Sequence, residues 1–166
     1  MKFFPHGDTE ILSVEKTLLI RATGPFNREG IVEYFKKILD FKSENKKVVA
    51  KVLVLDGLAL LTPDAEALIV EKIQELKIQG LNMIAVLTRE VPGVNVVKAQ
   101  FSGVLNRSNV SHIFANSLPD IEFWLAGQLG DTEYVMSDLA KNTIYKWMGL
   151  DSEVEMKQSF LKIVKN

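Results

Sequence analysis

Cysteine is absent from this 166-residue chain, which excludes disulfide scaffolds, thiolate catalysis and sulfur-bound zinc. An excess of either charge is absent too, since 20 basic residues stand against 21 acidic ones, a net charge of −1. A chain so balanced has no long-range field to gather phosphate backbones or anionic lipid, so nucleic acid is not an expected partner. No run approaches the roughly 20 apolar residues that span a bilayer, and no stable membrane insertion is expected. The opening Met1-Lys-Phe-Phe-Pro-His-Gly-Asp8 lacks the apolar stretch of a secretory signal, so a cytoplasmic protein is the expectation. Histidine is scarce: His6 and His112 have no His, Cys or carboxylate at ligand spacing, and no metal site is expected. The chain also lacks a Gly-x-Gly-x-x-Gly cradle, a Gly-x-Ser-x-Gly elbow and any internal repeat. No nucleophile–base pair is visible, so no catalytic residue and no cofactor are assigned.

What is present is the material of a packed core, with 47% hydrophobic and 25% charged residues. The most informative stretch is Lys51 to Thr88. Val52-Leu-Val-Leu-Asp56 lies in a strand, Val48 to Leu55, that is apolar on both faces except at Lys51, the pattern of a central parallel strand covered by helices. Thr62 is a good N-cap, its hydroxyl expected on a backbone N–H, and Pro63 suits the first helical position, where a missing N–H is harmless. Ala67, Leu68, Val70, Ile73 and Leu76 are expected to form that helix's inner face. The helix stops at Gly80, and Met83 to Thr88 reads as a second buried strand, completing a parallel β-α-β unit.

Upstream, Thr9–Val14 and Thr17–Ala22 read as an antiparallel hairpin about Glu15-Lys16. Asn27 caps a helix whose stripe is Ile31, Phe35 and Ile38, with Val32 and Leu39 alongside, and Lys42–Lys47 follows as a polar turn. Downstream, the pattern gives a short helix over Val96–Phe101, a strand over Val110–Phe114 and a helix opened by the capping-box-like Ser117-Leu-Pro-Asp120. The segment from Gly127 to Asp131 marks an expected boundary, dividing a domain of residues 1–129 from a helical extension of residues 130–166. That extension comprises helices over Thr132–Met148, carrying Met136, Ala140, Ile144 and Trp147, and over Ser152–Val164. The domain's core is expected to be complete by Leu129. The tail's apolar faces then need another surface, and a homodimer built partly from them is the expectation.

The element order over residues 9 to 129 resembles the STAS fold of anti-sigma factor antagonists. Counted from Asp56, Asp64 falls where that family's Asp-Ser-Ser-Gly-Leu motif begins and Leu68 where it ends. Gly80-Leu-Asn-Met-Ile-Ala-Val-Leu87 resembles the passage into the fourth strand. Ser117-Leu-Pro-Asp-Ile-Glu-Phe-Trp-Leu125 is similar to the closing helix of a divergent STAS-like group related to CRAL-TRIO lipid-transfer domains. The resemblance implies an α/β fold: a mixed sheet with an N-terminal hairpin and parallel units, covered by helices. In the family the first motif serine accepts phosphate and switches partner binding. Here the serine positions hold Ala65 and Glu66, so that switch is expected to be missing.

Two functions follow as expectations. One is non-catalytic regulation through an unidentified protein partner. The other is carriage of an apolar small molecule or lipid in a cavity between helices and sheet. Open α/β sheets bind ligands at the carboxyl ends of their parallel strands, which makes Arg28, Asp56, Thr62, Asp64, Glu66, Thr88 and Arg89 the candidate surface. Each of these also has a structural reading: Asp64 and Glu66 suit a helix dipole, Thr62 a cap, and Arg89 a solvated loop. The Gly24-Pro-Phe-Asn-Arg28 turn is a candidate anion site at a helix N-terminus, and equally a plain strand-to-helix turn. Phe123, Trp124, Tyr145 and Trp147 are expected in the core or at docked helices, Trp147 also as an interface anchor.

Overall fold

A computed structural model describes residues 3–150. The chain runs β1 (Asp8–Val14), β2 (Thr17–Thr23), α1 (Arg28–Glu44), β3 (Ala50–Asp56), α2 (Pro63–Ile78), β4 (Met83–Thr88), α3 (Val94–Arg107), β5 (Ser111–Phe114), α4 (Leu118–Leu129) and α5 (Asp138–Trp147). The strands form one sheet in chain order, β1-β2-β3-β4-β5. The first pair is antiparallel and the other three are parallel. This is the α/β mixed sheet covered by helices that the sequence leads one to expect.

Strand order that follows chain order has a consequence. Every parallel crossover steps the same way across the sheet, and crossovers are right-handed, so α1, α2 and α3 lie on one face. There Phe35, Ile38, Ile69, Ile73, Val97 and Phe101 pack on Leu18, Ile20, Leu53, Leu55, Ile84 and Val86. The alternate residues of the same strands, including Leu19, Val52, Val54, Ala85 and Leu87, point to the second face. No crossover reaches that face. It is covered by Leu118, Ile121 and Leu125 of α4, and by Met136, Ala140, Ile144, Tyr145 and Trp147 from α5 and the residues around it.

The core is therefore not complete at Leu129. α5 lies across β2 and β3 of its own chain and closes the second layer. It also starts later than its expected opening at Thr132, because Ser137 caps it by accepting the Ala140 N–H at 3.3 Å. The helix expected over Ser152–Val164 lies outside the described residues.

Other boundaries move for local reasons. α3 runs on to Arg107 rather than ending at Phe101, because Val104 and Leu105 continue its buried stripe past Gly103. α1 absorbs Lys42, whose ammonium turns inward to the Val48 carbonyl at 3.0 Å. On α2 the buried stripe is Ala65, Leu68, Ile69, Ile73 and Leu76, while Ala67 is exposed and Val70 half-buried. Ala67 sits about 200° around the helix from both Ala65 and Ile69, which turns it to solvent. Val32 and Phe123, expected inside, are exposed, whereas Tyr145 and Trp147 are buried.

Because α5 closes a layer, removal of residues 131–166 should leave a chain that binds a hydrophobic dye and unfolds without cooperativity. Ile144→Ala, at a fully buried position, should cost about 2–5 kcal/mol in urea denaturation.

Candidate functional site

Asp56 ends β3 at the carboxyl edge of the parallel strands, with its side chain on the second face. Its Oδ2 accepts from Arg21 Nε at 3.0 Å and Nη2 at 2.8 Å, and its Oδ1 accepts from Arg89 Nη1 at 3.0 Å. Arg21 comes from β2, and its Nη1 also donates to Glu10 Oε1 at 2.7 Å, directly across the hairpin. Trp147, at the end of α5, donates its indole N–H to the other Glu10 oxygen at 3.2 Å. Hydrogen bonding to Asp56 is the main reason the Arg21 guanidinium is held even more firmly charged than usual, against the opposing effect of burial. Arg89 is positioned by its backbone N–H, which donates to the Leu55 carbonyl at 3.2 Å. Gly149 has φ +69°, which favours glycine, and a Cβ there would come within 3.1 Å of Arg89 Nη2, so the turn after α5 lies close against the guanidinium. The result is a continuous chain of charges, Glu10–Arg21–Asp56–Arg89, that joins three strands to the end of α5.

The remaining candidates lie apart. At the start of α2 the Thr62 hydroxyl does not cap the helix. It donates to Asp64 Oδ1 at 2.5 Å, and that same oxygen accepts the Ala65 N–H at 3.0 Å. Asp64 thus takes the amide expected for Thr62. Its carboxyl is held below the usual carboxylate range, first by the Thr62 hydrogen bond and last by the nearby Arg28. Glu66 turns the other way, to Gln100 Nε2 at 3.0 Å and to Arg107, both on α3. Thr88 lies one residue beyond Leu87 on β4, and alternation turns it to the opposite face from Asp56. The seven residues expected to form one surface therefore divide into Asp56 with Arg89, a cluster of Thr62, Asp64 and Arg28, a Glu66 bridge to α3, and Thr88 by itself.

The loop between β3 and α2 is anchored at its helix end. Phe26 donates to the Leu60 carbonyl at 2.7 Å and accepts from the Thr62 amide at 3.0 Å. Gln100 holds Leu61 from the other side, accepting its N–H and donating to its carbonyl, each at 2.9 Å. A Cβ on Gly24 would fall 2.4 Å from Ala59 Cα, so this turn approaches the loop as closely as a glycine permits. The proposed anion site before α1 is already filled by protein. Asn27 Oδ1 accepts the Gly30 and His6 amides, each at 2.9 Å, and Asn27 Nδ2 donates to the Phe4 carbonyl at 2.8 Å.

Lys51 lies beneath α1 on the first face, and its Nζ donates to Tyr34 Oη at 3.0 Å. Both residues are buried, and they line a cavity of about 20 Å³ whose other walls are apolar. Burial lowers the Lys51 ammonium to a pKa of about 7 and pushes the Tyr34 phenol up.

Glu10, Arg21, Trp147, Gln100, Arg107 and Tyr34 are absent from the sequence-based candidate surface. Arg21 and Lys51 carry a visible signal, each being a charge within an otherwise apolar strand, but their partners depend on strand register. Among the described residues no group of three or more His, Cys, Asp or Glu side chains is placed to hold a metal ion. No helix among them is long and apolar enough to cross a membrane. The chain matches no protein-family model, no curated protein and no solved structure.

Asp56→Ala leaves two part-exposed guanidiniums without their shared acceptor, and should cost about 1–3 kcal/mol in urea unfolding. Lys51 predicts a pH effect of definite sign. Its folded pKa, about 7, lies below the unfolded value of 10.5, so the unfolded chain binds the extra proton between them. Stability should rise from pH 7 to about pH 10, where unfolded tyrosine begins to ionise and Tyr34 acts in the opposite sense. Lys51→Met should be more stable than the wild type at pH 7 and should remove most of that rise, read from urea midpoints across the range.

Proposed function

We propose that this chain is a STAS-like regulatory domain that binds a protein partner in the cytoplasm, without catalysis and without a phosphate switch. The observation that carries the reading is the anchored loop between β3 and α2. Its backbone is held by Phe26 on one side and Gln100 on the other, and it displays Leu58 at 45% exposure. An apolar side chain on a loop anchored by several hydrogen bonds loses little entropy on binding, which is what a recognition surface requires.

The missing switch has its own support. Ala65 is fully buried in the first turn of α2, and the neighbouring Thr62 hydroxyl is engaged by Asp64. Ionised groups at the carboxyl edge are taken up by one another, Asp56 by Arg21 and Arg89, and Glu66 by Arg107. That pattern favours a fixed surface over acid–base chemistry. Carriage of an apolar molecule is the weaker reading: the space between the α1–α3 layer and the sheet, about 20 Å³, holds about one water, and the groove of about 660 Å³ beside α4 and β5 is open to solvent, whereas ligand pockets are enclosed and run to roughly 300–1,000 Å³. A homodimer belongs to the same proposal. With α5 engaged by its own sheet, Phe123, Val135 and Leu139 are the large apolar side chains left exposed in this region among the described residues.

Leu58→Asp tests the surface. The variant should keep the wild-type unfolding midpoint and lose the partner captured by wild-type protein from its native cells; equal capture by both refutes the assignment. Phosphopeptide mapping of the native protein should find no stoichiometric phosphate on Thr62. Light scattering at micromolar concentration should give twice the chain mass, and a single chain mass would remove the homodimer.

A further inference from the structure

We propose that Lys51 and Tyr34 form an internal binding site for a small monovalent anion of the size of chloride or bromide, independent of the partner-binding surface. The argument begins with a count of donors. A lysine ammonium offers three N–H donors and no acceptor. One of them is taken by Tyr34 Oη at 3.0 Å. Because Tyr34 accepts from that ammonium, its own O–H proton points elsewhere. Two N–H groups and one O–H are thus left without a protein acceptor among the described residues, beside a space whose other lining side chains are apolar.

No other side chain lining that space can accept them. The cavity wall is supplied by Ala22 of β2, Phe26, Ile69 and Ile73 of α2, and Phe101 of α3, among other apolar residues. Lys51 on β3 and Tyr34 on α1 are the titratable and charged groups that any of these elements turns toward the space. Lys51 is 2% exposed and Tyr34 6%, so bulk water does not supply the missing acceptor. The Tyr34 ring, with its centroid 5.5 Å from Lys51 Nζ, adds a weak attraction for the cation but no counter-charge. A buried cation is stable only when it is paired or loses its proton.

Size and sign then choose the ligand. A volume of about 20 Å³ admits one particle near the size of water, and a surplus of donors around a positive charge selects an anion. Chloride meets both conditions, whereas carboxylates bearing hydrocarbon tails exceed the volume. Near neutral pH the ammonium and the free amine are close in free energy, so anion binding is coupled to uptake of a proton by Lys51. The site is therefore stronger in mild acid and fades in alkali, where Lys51 loses its positive charge and its neutral amine accepts a hydrogen bond from the Tyr34 hydroxyl.

The test is thermal unfolding of the full chain at pH 6.5 and at pH 9. Sodium gluconate is replaced by sodium chloride, bromide, acetate or hexanoate at constant ionic strength. The expected result is a saturable rise in Tm with chloride and bromide at pH 6.5, reduced at pH 9. Lys51→Met should abolish it, and Tyr34→Phe should weaken the apparent affinity at least tenfold. Tyr34→Phe keeps the lysine and the cavity shape, so it serves even if Lys51→Met alters the fold. Equal chloride responses in wild type and Tyr34→Phe would overturn the site, as would gluconate acting like chloride. A stronger response to hexanoate than to chloride would overturn the size argument and favour an apolar-ligand carrier.

Discussion

The covering of the second sheet face is the constraint on which the rest of the structure depends. A sheet whose strands add in chain order receives every right-handed crossover on one side. Its other side carries an equally apolar set of alternate residues, here Leu19, Val52, Val54, Ala85 and Leu87, with no crossover to shield them. The chain after β5 must do that work. α4 covers part of the face, and α5, after a further turn, covers β2 and β3. A segment that looks like an appendage in the sequence is thus half of the second layer.

That arrangement explains why charged groups gather where they do. α5 is short, and a helix of ten residues has little stability of its own. Its apolar side chains hold it down, and its end is fixed by polar contacts: Trp147 to Glu10, and Gly149 against Arg89. Both contacts lead to Asp56 through the two arginines. The carboxyl edge of an α/β sheet ordinarily offers free polar groups to a ligand. In this chain those groups bind together the hairpin, β3, the start of the β4–α3 loop and the turn after α5. Their reserve of unpaired donors and acceptors is correspondingly small.

The sequence reveals periodicity, and periodicity reveals burial more readily than partnership. β3 is legible because both faces are apolar, and the opening of α2 because Thr62 and Pro63 punctuate it. The stripe of Met136, Ala140, Ile144 and Trp147 shows that one face of α5 is covered, but a stripe carries no address. Whether it meets its own sheet or another subunit depends on strand order, which no local pattern encodes. The candidate site suffers from the same limit. Asp56 and Arg89 are visible at strand ends, but the link from Arg21 to Glu10 requires the hairpin register. The link from Glu66 to Gln100 and Arg107 requires the seating of α3. Thr62 shows a subtler failure, since its position is that of a cap while its hydroxyl is drawn to a stronger acceptor, the Asp64 carboxylate two residues later.

Lys51 marks the point where the demands of folding and of possible ligand chemistry separate. Packing alone favours a methionine or leucine at this position, because the ammonium loses hydration and gains only one phenolic acceptor. Lys42 shows another way the same fold accommodates a buried lysine: its ammonium donates to a backbone carbonyl, that of Val48, just before β3. Lys51 instead meets a phenol, since its strand is central and α1, which carries Tyr34, lies above it. The fold therefore holds a proton acceptor in an apolar space, with a free energy of charging that depends on what shares that space. A lysine at this small apolar space is unfavourable to stability, and packing alone does not account for it; the proposed anion would.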